Sequence, residues 1–266
     1  METVQVGGRG LTYVRRGRGE PLVLVQGMAG HHGLWGERFL GLLAERFDVV
    51  AFNHRGVAGG GRVEEQFSTA DLARDAVGVM DALGVGSAHV LGISLGGMVA
   101  QEMAIRFPER VRALVLGCTY AGPEGGSLDA PGPGRMAQAA AARDAVAAMR
   151  VAFEVNLSPG FRGREGAFRE FVEVVLAQKV PAAVIGMQMR AALGHDAVGR
   201  LGRVVAPTLV VHGTEDEMIR VDNGRHVASL VPGARLEVVE GVGHLFWWEQ
   251  PEATARLVTS FVASST

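Results

Sequence analysis

Residues Ser87–Met98 read SAHVLGISLGGM, and no other stretch restricts the chain so tightly. His89-Val90-Leu91-Gly92 is a short apolar run of the kind a buried strand uses. From Leu95 to Phe107 the apolar positions Leu95, Val99 and Met103, with Ala100 and Ala104 beside them, have helical spacing. A strand must therefore become a helix within Gly92-Ile93-Ser94-Leu95-Gly96. So sharp a turn strains its central residue and needs small neighbours two positions away on either side, which the glycines supply. The helix then starts beneath Ser94, with its free N–H groups and dipole facing any negative charge that forms there.

The same strand–helix rhythm runs through most of the chain. Thr3–Val6 and Leu11–Arg16 read as strands joined through Gly7-Gly8-Arg9-Gly10. Leu22–Val25 is continuously apolar, as in a strand buried on both faces, and ends at Gln26-Gly27-Met28-Ala29-Gly30. A helix is expected around Trp35–Phe47 and a strand over Asp48–Phe52; Ser68 or Thr69 caps a helix through Leu83, with Asp71 in its first turn. Val111–Leu116 is another strand. Beyond the Gly- and Pro-rich Tyr120–Gly134 the pattern changes, because Met136–Ala152 and Ala167–Leu193 are helical segments with no strand between them. After Pro207 the rhythm resumes with strands at Thr208–Val211 and Arg235–Val239 and helices at Asn223–Leu230 and Glu252–Val262. These alternations predict an α/β fold with a parallel sheet covered on both faces. Residues 1–120 and 205–266 form its core, and 121–204 form a helical cap that overhangs Ser94.

A length of 266 residues suits one large α/β domain with a modest insertion. The formal net charge of -2 argues against nucleic acid or an anionic membrane as partner. Cys118 is the single cysteine, which excludes an internal disulfide and a cysteine-based metal cluster; following an apolar run, it reads as a buried, inert thiol. Metal-ligand spacings, phosphate loops and dinucleotide fingerprints are lacking, so no metal and no cofactor are expected. METVQVGGRG lacks the pattern of a secretory signal and no apolar run is long enough to span a bilayer, which predicts a cytoplasmic protein. Oligomeric state has no signature in the sequence.

A serine hydroxyl is a poor nucleophile unless a base takes its proton, and that base needs a carboxylate to orient it. Position decides among the eight histidines. His89 begins a strand and His212 ends one, as structural residues do; His54, His195 and His226 have no supporting context. His31 and His32 follow the third strand, near enough to touch a substrate but poorly placed to act as base. His244 lies in Gly241-Val242-Gly243-His244-Leu245, between the last strand and the last helix. Asp216 closes His212-Gly213-Thr214-Glu215-Asp216, with Glu215 and Glu217 as rival acids. Parallel sheets bind ligands beyond the carboxyl ends of their strands, and Ser94, Asp216 and His244 all fall there, in that order.

With these motifs, and with Trp248-Glu249-Gln250-Pro251 after Gly243-His244, the sequence resembles the α/β-hydrolase superfamily over nearly its whole length. It is most similar to lidded esterases, enol-lactonases, proline-iminopeptidase-like enzymes and polyketide methylesterases. The resemblance implies a mostly parallel eight-stranded sheet with a helical cap. It also implies Ser94 as nucleophile, His244 as base and then acid, and Asp216 as the orienting carboxylate. The oxyanion hole would be the backbone N–H groups of Met28 and Leu95. Some relatives carry the acid after the strand beyond the elbow, where this chain has Cys118-Thr119-Tyr120. Two departures stand out: Gln26-Gly27 replaces the usual His-Gly, and Arg55-Gly56-Val57-Ala58-Gly59-Gly60 replaces R-G-x-G-x-S. The implied activity is cleavage of a small-molecule ester or lactone through a Ser94 acyl-enzyme. The alternative is a non-hydrolytic catalyst, such as a cyclase, an isomerase or a perhydrolase/haloperoxidase-like enzyme, on the same scaffold. Gln26, His31, Met187 and Arg190 are the candidate substrate contacts.

Overall fold

The computed structural model describes residues 1–265. Its strands are β1 (Glu2–Val6), β2 (Arg9–Arg16), β3 (Glu20–Val25), β4 (Phe47–Phe52), β5 (Ala88–Ile93), β6 (Val111–Gly117), β7 (Thr208–Gly213) and β8 (Arg235–Val239). They form one eight-stranded sheet in the order β1-β2-β4-β3-β5-β6-β7-β8. Only the β1–β2 and β2–β4 pairs are antiparallel; the others are parallel. The mostly parallel eight-stranded α/β architecture expected from the sequence is therefore present. From β3 the chain passes to β4 on one side and then to β5 on the other. The loops leaving β3 and β5 thus diverge, and such a switch point opens a crevice at the carboxyl edge.

The helices are α1 (Glu37–Ala44), α2 (Thr69–Ala82), α3 (Leu95–Arg106), α4 (Pro131–Ala141), α5 (Ala145–Asn156), α6 (Pro159–Arg162), α7 (Ala167–Leu176), α8 (Ala182–Leu193), α9 (Val221–Leu230), α10 (Phe246–Glu249) and α11 (Pro251–Ser264). Strand alternation divides the core into two layers. Leu22, Leu24, Val49, Ala51, Leu91 and Ile93 pack with residues of α1 and α11 on one face. Val23, Val25, Val50, Phe52 and Val90 pack with α2, α3 and α9 on the other. Ser68 caps α2 in a reciprocal box: its hydroxyl accepts the Asp71 N–H, and the Asp71 carboxylate accepts the Ser68 N–H.

Helices α4 to α8 run between β6 and β7 with no strand among them. Expected helix bounds shift where single residues break the backbone path. Trp35 belongs to a 3-10 turn over His32–Trp35, Gly36 at φ 75° separates it from α1, and Phe47 already pairs with Glu20 in the sheet. Met136–Ala152 is split by Arg143 at φ 57° and by Asp144, whose carboxylate caps α5. Ala167–Leu193 is divided before Pro181, the N-cap of α8. Apolar periodicity does not register interruptions this short. Among the described residues, no helix is long and apolar enough to cross a membrane.

Candidate active site

Ser94 sits between β5 and α3 at φ 53° and ψ -122°. A non-glycine residue held there stores about 1–3 kcal/mol of strain, so its surroundings must hold it firmly. Its N–H donates to the Gly117 carbonyl at 2.9 Å, and its carbonyl accepts the Thr119 hydroxyl at 2.7 Å. The flanking glycines are required by close approach. A Cβ on Gly92 would lie 2.2 Å from the Gly96 carbonyl oxygen, and one on Gly96 would lie 2.0 Å from that of Val25. Sheet register pairs Ile93 with Gly117 and Gly117 with Val211. Ser94, Cys118 and His212 are therefore the next residues along three adjacent strands.

His244 and Asp216 extend from the loops after β8 and β7 and meet directly. His244 Nδ1 lies 2.7 Å from Asp216 Oδ2, and both residues are buried. Asp216 Oδ1 accepts the N–H groups of Met218 at 2.8 Å and Ile219 at 2.9 Å. His212 Nε2 donates to the Ile219 carbonyl at 2.8 Å and also lies 3.1 Å from Asp216 Oδ2. Burial alone would raise the Asp216 carboxyl, but attraction to His244 and the hydrogen bonds from His212 and His244 outweigh it and hold the group well below the usual carboxylate range. An ionised carboxylate takes the Nδ1–H tautomer of His244, which leaves the Nε2 lone pair free. Glu217, a rival acid, is bound by Arg135 of α4 at 2.9 Å. Cys118 is also close: ligand atoms of Cys118, Asp216 and His244 lie within 4.8 Å of one another, a set of metal-ligand types that sequence spacing does not reveal. Burial pushes the Cys118 thiol well up, and the neighbouring Asp216 charge adds to the shift.

The loop after β3 lies against Ser94: a Cβ on Gly27 would stand 3.2 Å from the Ser94 Cβ. Gln26 Oε1 accepts the Gly27 N–H at 2.8 Å, and the Gln26 carbonyl accepts from His54 Nε2 at 2.8 Å. Ala29, at φ 58°, donates its N–H to Gln188 Oε1 of α8 at 2.9 Å. Between these two anchored amides the Met28 N–H has no protein acceptor among the described residues, and neither has the Leu95 N–H.

Other expected contacts land differently. His31 is buried; its Nδ1 accepts the Gly33 N–H at 3.1 Å and its Nε2 donates to the Val174 carbonyl at 3.0 Å, so both ring nitrogens fasten backbone. Met187 is half-buried and packs against the same cluster as Met28, while its carbonyl accepts from Gln66 at 2.9 Å. Arg190 is exposed and donates to Gln66 Oε1 at 2.6 Å.

The sequence assigns no role to two further site neighbours. Gln188 shares the buried face of α8 with Val184, Ala191 and Ala192, and a polar residue at that helical spacing was the available signal. Glu249 belongs to the Trp-Glu-Gln-Pro run. Its Oε1 accepts the N–H of Gly243 and that of Ser158, each at 2.8 Å, and its Oε2 accepts the Ser158 hydroxyl. The Leu245 N–H donates to the Asn156 carbonyl at 3.0 Å, so the His244 loop is tied to the α5–α6 junction on both sides of the histidine.

A family model described as alpha/beta hydrolase fold matches residues 20–251. A poly(3-hydroxyalkanoate) depolymerase from Ectopseudomonas oleovorans is 31% identical, over 98% of this chain and 92% of its own. Among solved structures, a hydrolase from Pseudomonas aeruginosa PA01 is 27% identical with a TM-score of 0.84, covering 98% of this chain and 97% of that one. An esterase from Rhodococcus sp. ECU1013 is 28% identical with a TM-score of 0.83, covering 100% and 99%.

Proposed function

This chain belongs to the α/β hydrolase fold family, and on that premise we propose that it is a serine hydrolase that cleaves a small-molecule carboxylic ester or lactone through a Ser94 acyl-enzyme. The observation that carries this reading is the 2.7 Å His244–Asp216 contact at the sheet rim that also bears the strained Ser94 elbow. Helices α4 to α8, within residues 121–204, act as its cap. The depolymerase and esterase named above agree with acyl chemistry on an ester.

Ser94 Oγ attacks the acyl carbon while its proton passes to His244 Nε2, and Asp216 stabilises the imidazolium. Negative charge gathers on the former carbonyl oxygen, which takes the N–H groups of Met28 and Leu95 at the N-terminus of α3. His244 then protonates the departing alkoxide, so the alcohol leaves and the acyl group remains on Ser94. Water repeats the sequence, giving its proton to His244, and the acid is released. The chemistry uses no cofactor.

The test is labelling with a fluorophosphonate, peptide mapping of the adduct, and a panel of esters and lactones assayed with wild type and Ser94→Ala. Label is expected on Ser94 alone, with a loss of turnover of about a millionfold in Ser94→Ala. Label elsewhere, or turnover retained in the variant, would overturn the assignment.

A further inference from the structure

The loop after β3 is held from two opposite directions. From the sheet side, Gln26 Oε1 takes the Gly27 N–H and His54 pins the Gln26 carbonyl. From the helical segment, Gln188 Oε1 takes the Ala29 N–H at 2.9 Å, across 159 residues of sequence. These two carboxamides engage the amides before and after Met28 and leave the Met28 N–H as the free donor between them. Ala29 is at φ 58°, a conformation that a residue with a Cβ adopts only when something holds it there. Gln188 has no exposed surface, and its neighbours on α8 face the core, so its carboxamide is fixed by packing as well as by the bond.

We infer that Gln188 is a positioning residue for the oxyanion loop: by holding the Ala29 N–H it keeps the Met28 N–H presented to the substrate oxygen. The inference rests on the acyl-enzyme reading above. Helix α8 then does more than cover the site. Half of the oxyanion hole is in working geometry only while α8 is docked on the β3 loop, so seating of the helical segment and readiness for acyl transfer are one event. The loop also accounts for Gln26 at the position where relatives carry histidine. A short carboxamide folds back onto the next N–H and, with Gln188, divides the loop amides between two acceptors.

Gln188→Met removes the acceptor while nearly preserving side-chain volume. Any ester from the panel that wild type hydrolyses serves as substrate. Turnover is expected to fall about 10- to 100-fold, the scale of a misplaced catalytic group, with KM changed less than about threefold. The rate of Ser94 labelling by the fluorophosphonate should fall with kcat, and an alkylboronic acid, which mimics the tetrahedral intermediate, should lose affinity by the same factor. Gln188→Asn, one methylene shorter, should act in the same direction, so the result survives if the methionine variant folds poorly. The decisive measurement is a second substitution. Glycine adopts a positive φ without strain, so adding Ala29→Gly should restore part of the turnover lost in Gln188→Met. A residue that only packs the core would lower the melting temperature but show neither the kcat-selective loss nor that rescue. Wild-type kcat in both Gln188 variants, a loss confined to KM, or no recovery with Ala29→Gly would overturn the inference. If wild type is not labelled at Ser94, it is the acyl-enzyme reading that fails; labelling at Ser94 that is indifferent to Gln188 rejects this inference alone.

Discussion

The sheet-borne half of the candidate site and the helical half are built on different principles. Ser94, Asp216 and His244 leave strands locked in one continuous ladder, and several backbone bonds specify each of their loops. The helical segment between β6 and β7 has no ladder. It touches the rim through separate ties: Gln188 to Ala29, Glu249 to Ser158, Asn156 to Leu245 and His31 to Val174. It also carries four of the six exposed large apolar side chains among the described residues, Val146, Leu176, Met189 and Leu193, so its surface is less fully absorbed by the core. A ladder holds a group in place whatever lies above it, whereas a few polar ties make geometry depend on docking. In the proposed mechanism the proton-handling groups belong to the first half, and the inferred positioning of the oxyanion loop belongs to the second.

The contrast breaks most sharply at Asp216. Asp216→Asn keeps the shape but removes the charge that selects the Nδ1–H tautomer of His244, and kcat should drop about ten-thousand-fold with little change in how the helical segment docks. An asparagine variant within tenfold of wild type would mean that the sheet-borne half does not work as a proton relay. Glu249 joins the two halves. Glu249→Ala strands the N–H groups of Gly243 and Ser158, at about 1–3 kcal/mol for each one left buried and unpaired. A fall in kcat of about tenfold or more, smaller in Glu249→Gln, would show that the tie orients the His244 loop; thermal melts that shift while kcat stays constant would confine it to stability.

The smallest effect on activity is expected at His195, which bonds Thr69 of α2 and Gln101 of α3 from the end of the helical segment. Burial drives its pKa down to about 4 from 6.5, with attraction to Glu102 opposing only in part. The unfolded chain takes up a proton below about pH 6.5 that the folded chain refuses until about pH 4. Its contribution is thus complete above that window and is lost as pH falls through it, by about 3 kcal/mol at the acid end. Urea melts at pH 7 and pH 4.5 should show this decline, and His195→Gln should flatten it. An unchanged slope would assign the acid sensitivity to other buried histidines, such as His54, whose pKa burial also lowers.

Strand and helix order, the elbow and the Asp216 and His244 positions were legible because each depends on local pattern: period, a small-residue requirement, or distance past a strand end. Gln26, His31 and Arg190 show where that legibility stops. All three are polar residues near or above the rim, yet Gln26 folds back on its own backbone, His31 spends both ring nitrogens on backbone, and Arg190 bonds Gln66 on the outside. Sequence position does not say which hydrogen-bond partner lies within reach. Gln188 is the converse case, a residue between two methionines whose partner lies 159 positions away.

Local pattern along the chain sets the layered α/β order and the groups that stand at strand ends, because strand period and turn sterics act over a few residues. The lock of His244 onto Asp216, the loop amide left free between two glutamines and the stitching of the helical segment to the histidine loop arise from the folded arrangement alone. Those outcomes depend on angles and reach between distant elements, and a hydrogen bond forms or fails on differences of less than an ångström that no linear pattern encodes.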